Sequence, residues 1–254
     1  MNPPAPVSTE VSSGAVTQFA VLDALLAGVY EAGLPVGTAL GHGDFGIGCC
    51  DRLGGEVVIL DGVAYACTVD APPHVMADTD ILPFADVCVE PSAAPTPTGP
   101  ADLTGLTSLV EAAVVSRNLF HSVRVDGLFR SVRVRATRRE HFPLRPLADV
   151  AGEQVETVLT DVVGTLVGFW APSIYQGIAV AGLHVHFLSA DRRAGGHVLD
   201  LAVQDAALRV GAFARFTLLL PTDPAFLATE LTHDDDHRIV AVEGGAAPEP
   251  EAQR

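Results

Sequence analysis

The sequence predicts an α+β fold in which strands outnumber helices, and three observations carry that prediction. Asp61-Gly62 separates Glu56–Leu60 from Val63–Cys67, the two-residue connection that closes a tight hairpin. Val132-Arg133-Val134-Arg135 alternates strictly, which is the period of a strand with one face turned inward. The second half is dominated by apolar, branched runs, Gly177–Leu188, Gly196–Gln204 and Arg209–Leu219, set apart by turn formers.

Taken in order, residues 1–13 are rich in Pro and Ser and are expected to form a disordered tail. Phe19, Leu22, Leu25, Leu26 and Val29 recur at helical spacing, predicting a core-facing helix that Gly33 stops. His42-Gly-Asp-Phe-Gly-Ile-Gly48 reads as a Gly-rich strand or bend. It lacks the G-x-G-x-x-G order of a nucleotide loop, so its glycines point to close backbone packing. In the first hairpin Glu56, Val58 and Leu60 share a face, so Glu56 is either a strand-end carboxylate or a side chain aimed into a site. Glu90–Pro100 predicts a Pro-rich loop, and Leu103–Phe120 a helix. Asp126-Gly127 predicts a second hairpin, between Ser122–Val125 and a return strand Leu128–Arg135. That return strand puts Arg133 and Arg135 on one face, where solvated charge is the ordinary expectation. A boundary is expected near Pro143–Asp149, followed by a helix near Val155–Val167. Beyond the three strand runs, Pro221–Leu231 reads as a short helical piece and Ile239–Glu243 as a last short strand. The chain then divides into an N-terminal α/β sheet domain, 14–145, a C-terminal β-rich domain, 146–243, and a disordered tail, 244–254.

Composition narrows the function. The net charge is −16, which argues against nucleic acid and anionic membrane surfaces as partners, since both need a basic footprint. All 15 basic residues are Arg. With no Lys, a lysine imine, a lysine-anchored pyridoxal phosphate and a Walker-type phosphate loop are all excluded. Cys49, Cys50, Cys67 and Cys88 sit among apolar or small residues without a Cys-x-x-Cys pair, so buried free thiols are expected. The N-terminus has no basic region followed by an apolar stretch, and no apolar run is long enough to span a bilayer, so a cytoplasmic location is the default expectation.

The most chemically pointed feature is a histidine triplet. His184 and His186 lie two apart in an apolar run, which on a strand puts both imidazoles on one face. Ser189–Gly196 is built to reverse the chain, returning His197 on the neighbouring strand roughly opposite His186. Three converging neutral imidazoles suit zinc or another divalent transition metal, and an all-His set more often leaves a coordination position open than a Cys-closed structural site does.

Taken together, these segments resemble the alpha-acetolactate decarboxylase family. The resemblance runs through Ala24–Tyr30, His42–Gly48, Leu53-Gly-Gly-Glu56, Leu60–Tyr65, Arg124–Phe129 and Val132–Arg135. It is most specific in Gly182-x-His184-x-His186-Phe-Leu and Asp191-Arg-Arg-x-Gly-Gly-His197-Val-Leu-Asp200, and it covers roughly residues 16–243. It implies two β-rich domains with flanking helices, the second a mainly antiparallel, barrel-like sheet carrying the metal site. It also implies a homodimer and a divalent ion, usually zinc, held by His184, His186 and His197. Two carboxylates facing the metal pocket would match Glu56 and Glu243, and an arginine pointing into it would match Arg135. The activity implied is metal-dependent decarboxylation of (S)-2-acetolactate to (R)-acetoin in the acetoin and butanediol pathway, with small-molecule acetolactate as the partner. The triplet by itself leaves two alternatives open: a zinc hydrolase using metal-bound hydroxide, and a non-catalytic metal-binding β protein. Cys49 and Cys50 replace polar positions near the Gly-rich strand.

Overall fold

The computed structural model of the chain describes residues 11–231. Its first half comprises β1 (Val11–Ser12), β2 (Val16–Phe19), α1 (Leu22–Leu26), β3 (Leu34–Pro35), α2 (Val36–Leu40), β4 (Phe45–Cys49), β5 (Glu56–Leu60) and β6 (Val63–Cys67). The short strands β7 (His74–Val75) and β8 (Ile81–Leu82) follow, then β9 (Phe84–Cys88), β10 (Thr96–Thr98), β11 (Ala101–Asp102) and α3 (Leu103–Ala113). The second half holds the long strands β12 (Phe120–Ala136), β13 (Val155–Ala171) and β15 (Gly195–Phe213). Between and after them lie α4 (Leu147–Ala151), β14 (Gly182–Ser189), β16 (Phe216–Leu219) and α5 (Pro224–Ala228). No described helix is long and apolar enough to cross a membrane.

The α+β class holds, and the strands form two large sheets. One runs in the order β16-β2-β9-β4-β5-β6-β7 and is mixed, since β16 joins β2 in parallel. The other runs β1-β15-β12-β13-β14, with β10 and β11 also on β15. In this second sheet β14 pairs back onto β15 through His186↔His197, Phe187↔Gly196 and Leu188↔Gly195, so β12, β13, β14 and β15 close into a ring. Hydrogen bonding crosses the expected boundary at 145/146 in both directions: β12 pairs with β13 and β15, and β16 pairs with β2.

Apolar alternation places the cores. One fills the ring with Val123, Val125, Phe129, Val132, Leu166 and Phe187, and α3 adds Leu106 and Val110. Another lies between the sheets, where Phe45, Ile47 and Val58 meet Val167, Phe169 and Leu188. A third gathers α1, α4, Leu53 and Phe84 beside the open end of that seam. The Gly-rich strand packs as expected: a Cβ at Gly46 would strike the Asp86 carbonyl and one at Gly48 the Phe84 carbonyl. All four cysteines are buried free thiols.

Several sequence expectations are corrected. Asp126-Gly127 makes no turn; β12 passes straight through it. Asp126 is instead held extended by Arg124 (2.9 Å), Thr165 (2.8 Å) and Arg209, and Gly127 leaves room for Ala206 on β15. Residues 155–167 are strand, not helix, because a run dense in Val and Thr finds a full-length partner in β12. The helix predicted to Phe120 ends at Ala113, where Val114 turns extended and β12 claims Phe120. The helix predicted over Phe19–Val29 spans only Leu22–Leu26 and is stopped by Gly28 (φ +81°), ahead of Gly33. The loop over Glu90–Pro100 contains β10, and the strands predicted over Gly196–Gln204 and Arg209–Leu219 divide elsewhere: β15 runs unbroken to Phe213, and Phe216–Leu219 forms the separate β16. The predicted strand Ile239–Glu243 lies outside the described residues.

Because Gly127 faces Ala206 across β15, Gly127→Ala is expected to lower unfolding free energy by about 1–3 kcal/mol, the usual cost of overpacking. A urea denaturation midpoint measures it, and an unchanged midpoint would contradict the close approach.

Candidate metal centre

Three long strands deliver the candidate side chains to one point. His184 and His186 project from the same face of β14, as the two-residue period requires. His197, on β15, pairs directly with His186, and Arg135, on β12, pairs directly with His197. Gly196 (φ +151°) makes that last pairing possible, since a Cβ there would press on the Arg135 carbonyl. From the other sheet, β5 brings Glu56, which lies opposite Cys49 of β4.

The imidazole groups converge closely. One ring nitrogen from each of His184, His186 and His197 lies within 4.8 Å of the others. His184 Nε2 and His197 Nδ1 are 3.2 Å apart. His186 Nδ1 donates to the Val57 carbonyl across the sheet–sheet seam at 2.9 Å, which fixes the tautomer and leaves Nε2 as the electron-pair donor facing the cluster. Glu56 Oε2 lies 3.6 Å from that Nε2. This donor set fits a divalent transition metal: three imidazoles, one already oriented by a carbonyl behind it. Burial, with His186 and then the Arg135 charge adding to it, holds His184 well below the ordinary imidazole range. Burial likewise lowers His186 to about 4 despite its bond to Val57, with Arg135 acting in the same direction. Both rings are therefore neutral at pH 7, the form a metal ligand needs.

Glu56, Arg135, His184, His186 and His197 line one cavity of about 40 Å³, more than the ~10–15 Å³ that one water needs. Arg135, expected on a solvated face, is only 3% exposed, whereas Arg133 stays half-exposed on Glu156 at 3.0 Å. The physical reason is the return of β14 and β15 over the end of β12, which covers position 135 and not 133. Glu243 lies outside the described residues.

Sequence reasoning missed the rest of the cavity. Gln154 accepts from Arg135 Nη1 at 3.2 Å and itself donates to Glu156 at 2.9 Å, so a short polar chain orients the guanidinium. Cys49 lines the cavity beside Glu56, a position readable from the β4–β5 register once that hairpin is drawn. Leu22, Leu25, Leu53, Phe84 and Leu147 form an apolar wall. Leu53 follows Arg52, and both have positive φ (53° and 51°), a conformation costly for branched or bulky side chains. Thr137 donates to the Leu53 carbonyl and Glu140 N–H to the Arg52 carbonyl (2.8 Å), holding the turn against the end of β12.

Comparison with known proteins agrees with this architecture. Residues 16–233 match the alpha-acetolactate decarboxylase family model. The chain is 36% identical to the alpha-acetolactate decarboxylase of Methylococcus capsulatus over 225 residues, 88% of this chain and 86% of that one. It is 37% identical to that of Methanosarcina mazei, over 91% of this chain and 81% of the other. The crystal structure of alpha-acetolactate decarboxylase from Bacillus subtilis strain 168 superposes with a TM-score of 0.88 at 29% identity, covering 91% of this chain and all of that one.

Replacing His186 removes a donor whose orientation is already set, so His186→Ala is expected to weaken Zn2+ binding at pH 7.5 by roughly 100-fold. Equilibrium dialysis with metal analysis reads the change; equal retention would show that the triplet is not the binding site.

Proposed function

Because the chain belongs to the alpha-acetolactate decarboxylase family, we propose that it converts (S)-2-acetolactate to (R)-acetoin and carbon dioxide, as a zinc-dependent homodimer. The observation that carries this reading is the gathering of three imidazoles, one arginine and one glutamate into a single cavity with an apolar wall.

The chemistry asks for each of these. In a 2-hydroxy-3-oxo acid the carboxylate leaves as carbon dioxide when the bond pair left on C2 spreads onto the neighbouring ketone oxygen. His184, His186 and His197 would hold the ion, which supplies Lewis-acid stabilisation of charge on that oxygen. Arg135 offers the planar fork of donors that a carboxylate accepts, and Gln154 keeps that fork from swinging. Its charge favours the bound anion, and it stays in place to offset the negative charge that grows as the bond breaks. After carbon dioxide departs, C2 takes a proton. Among the described residues Glu56 is the carboxyl group beside His186, and it serves as the proton donor, with Glu243 assisting. Leu22, Leu25 and Phe84 exclude bulk water, which would otherwise deliver that proton from either face and give both enantiomers of acetoin.

Zinc-loaded protein incubated with racemic acetolactate is expected to release carbon dioxide and give a positive acetoin colour reaction that a chelator abolishes. Arg135→Lys should keep its metal and lose roughly 100-fold in kcat/KM, because a point charge on a flexible stem replaces a positioned fork. No carbon dioxide from the loaded wild type would overturn the assignment, and full activity of Arg135→Lys would remove the arginine from it.

A further inference from the structure

A second buried carboxyl lies outside the mechanism. Asp86, in the middle of β9, is 4% exposed, and Gln18 on β2 is directly opposite it in the antiparallel register and fully buried. Both hydrogens of the Gln18 amide nitrogen are committed: it donates to the Ala20 carbonyl at 2.8 Å and to the Ile178 carbonyl at 2.7 Å. Gln18 Oε1 is therefore the only group that side chain has left, and it is an acceptor. Neither Gln18 Oε1 nor Asp86 Oδ1 has a hydrogen-bond partner among the described residues. Two buried acceptors on directly opposed residues of a strand pair forgo the hydrogen bonds that water gave them unless a hydrogen lies between them.

We propose that Asp86 is kept as the neutral acid, its O–H donating to Gln18 Oε1, and that this buried pair positions the entry of α1, whose Leu22 and Leu25 wall the metal cavity. The carbonyls that Gln18 holds are the ones that set that entry. Ala20 (φ +63°) is the turn into α1, and the Ile178 carbonyl also accepts from Leu22 N–H at 3.0 Å. Among the described residues, no charge competes for the proton. Ile47 is the β4 residue opposite Asp86, Gln18 the β2 residue, and the β9 neighbours on its face are Phe84 and Cys88, the latter held as a thiol by burial. Val167 and Phe169 belong to the part of the other sheet packed on this layer. Burial alone raises the Asp86 carboxyl to about 7.

The sign of the pH effect follows. A carboxyl of folded value near 7 and unfolded value about 3.9 leaves the native chain binding more protons between those limits. Stability is full below the lower limit, falls as pH rises toward 7, and is level above it. Asp86→Asn supplies an N–H donor of the same shape and no charge. Its melting temperature should rise relative to wild type from pH 5 to pH 7 and run parallel above. A wild-type minus Asp86→Asn infrared difference spectrum should show a protonated-carboxyl band at pH 5.5 that disappears by pH 8.5. Parallel melting curves, or no band, would overturn the protonated pair.

The positioning part is read separately, by amide hydrogen exchange at Leu22 in the metal-loaded protein. Raising the pH from 5.5 to 8.5 should speed that exchange several-fold more in wild type than in Asp86→Asn, after correction for the intrinsic rate. Asp86→Leu, which cannot donate, should be fast at both. An identical pH response in wild type and Asp86→Asn would sink the positioning role even if Asp86→Leu failed to fold. That the positioned wall encloses a metal cavity rests on the decarboxylase reading; the band and the exchange do not, so a wild type inactive on acetolactate would refute that reading while these measurements still decide this one.

Discussion

The hydrogen bond from His186 Nδ1 to the Val57 carbonyl is the contact on which the site depends. It is buried, it joins β14 of the ring to β5 of the other sheet, and it consumes one of only two ring nitrogens. That choice determines which nitrogen faces inward, and the inward one is the atom beside Glu56. A single backbone carbonyl thus sets the tautomer of a candidate ligand and the distance between the ligand strand and the acid strand. Val57 and Glu56 are consecutive on β5, so the carbonyl that orients the imidazole and the carboxylate that approaches it move as one unit.

Closure of the ring does comparable work on the other side. Arg135, His197 and His186 form a continuous cross-strand row over β12, β15 and β14, each opposite the next. In such a row side-chain spacing follows from strand spacing, with no loop to relax it. Burying a guanidinium there is costly unless it is hydrogen-bonded, and the chain of Gln154 and Glu156 from β13 and the turn before it helps meet that requirement. Burial of the rings themselves is what chiefly keeps His184 and His186 neutral, and the positive charge of Arg135 held nearby adds to it by opposing a second one on either ring.

The histidine spacing was legible because the strand period is short and local: two residues on one strand and a tight return determine three positions. The Asp61-Gly62 hairpin was legible for the same reason. Asp126-Gly127 carried an equal turn signal and misled, because its outcome depends on partners far along the chain, Thr165 and Arg209 for the aspartate and Ala206 for the glycine. Val155–Val167 misled because its apolar residues suit either period, and the choice was made by a strand that ends some twenty residues earlier. Arg135 shows the limit most sharply. Its alternation with Arg133 is local, but its burial comes from two strands beyond the reach of any pattern around it.

The ligands and the acid come from different sheets, so their mutual geometry is a property of the packing between sheets and not of either sheet alone. Phe45 meets Phe169 edge to face across that seam at 6.1 Å, with Ile47, Val58 and Leu188 filling the layer around them. Close-packed apolar layers resist small displacements, because even a gap of half an ångström forfeits a substantial part of the contact energy. A metal-centred site built here inherits that stiffness, and the His186–Val57 hydrogen bond adds orientation to it. The polar pair Gln18 with Asp86 lies a single side-chain row from the row that contains Phe84, Cys49 and Glu56. An ionised carboxylate at that place would loosen the stiff layer at the point where α1 enters the cavity wall, which is why its proton matters more than its distance from the histidines suggests.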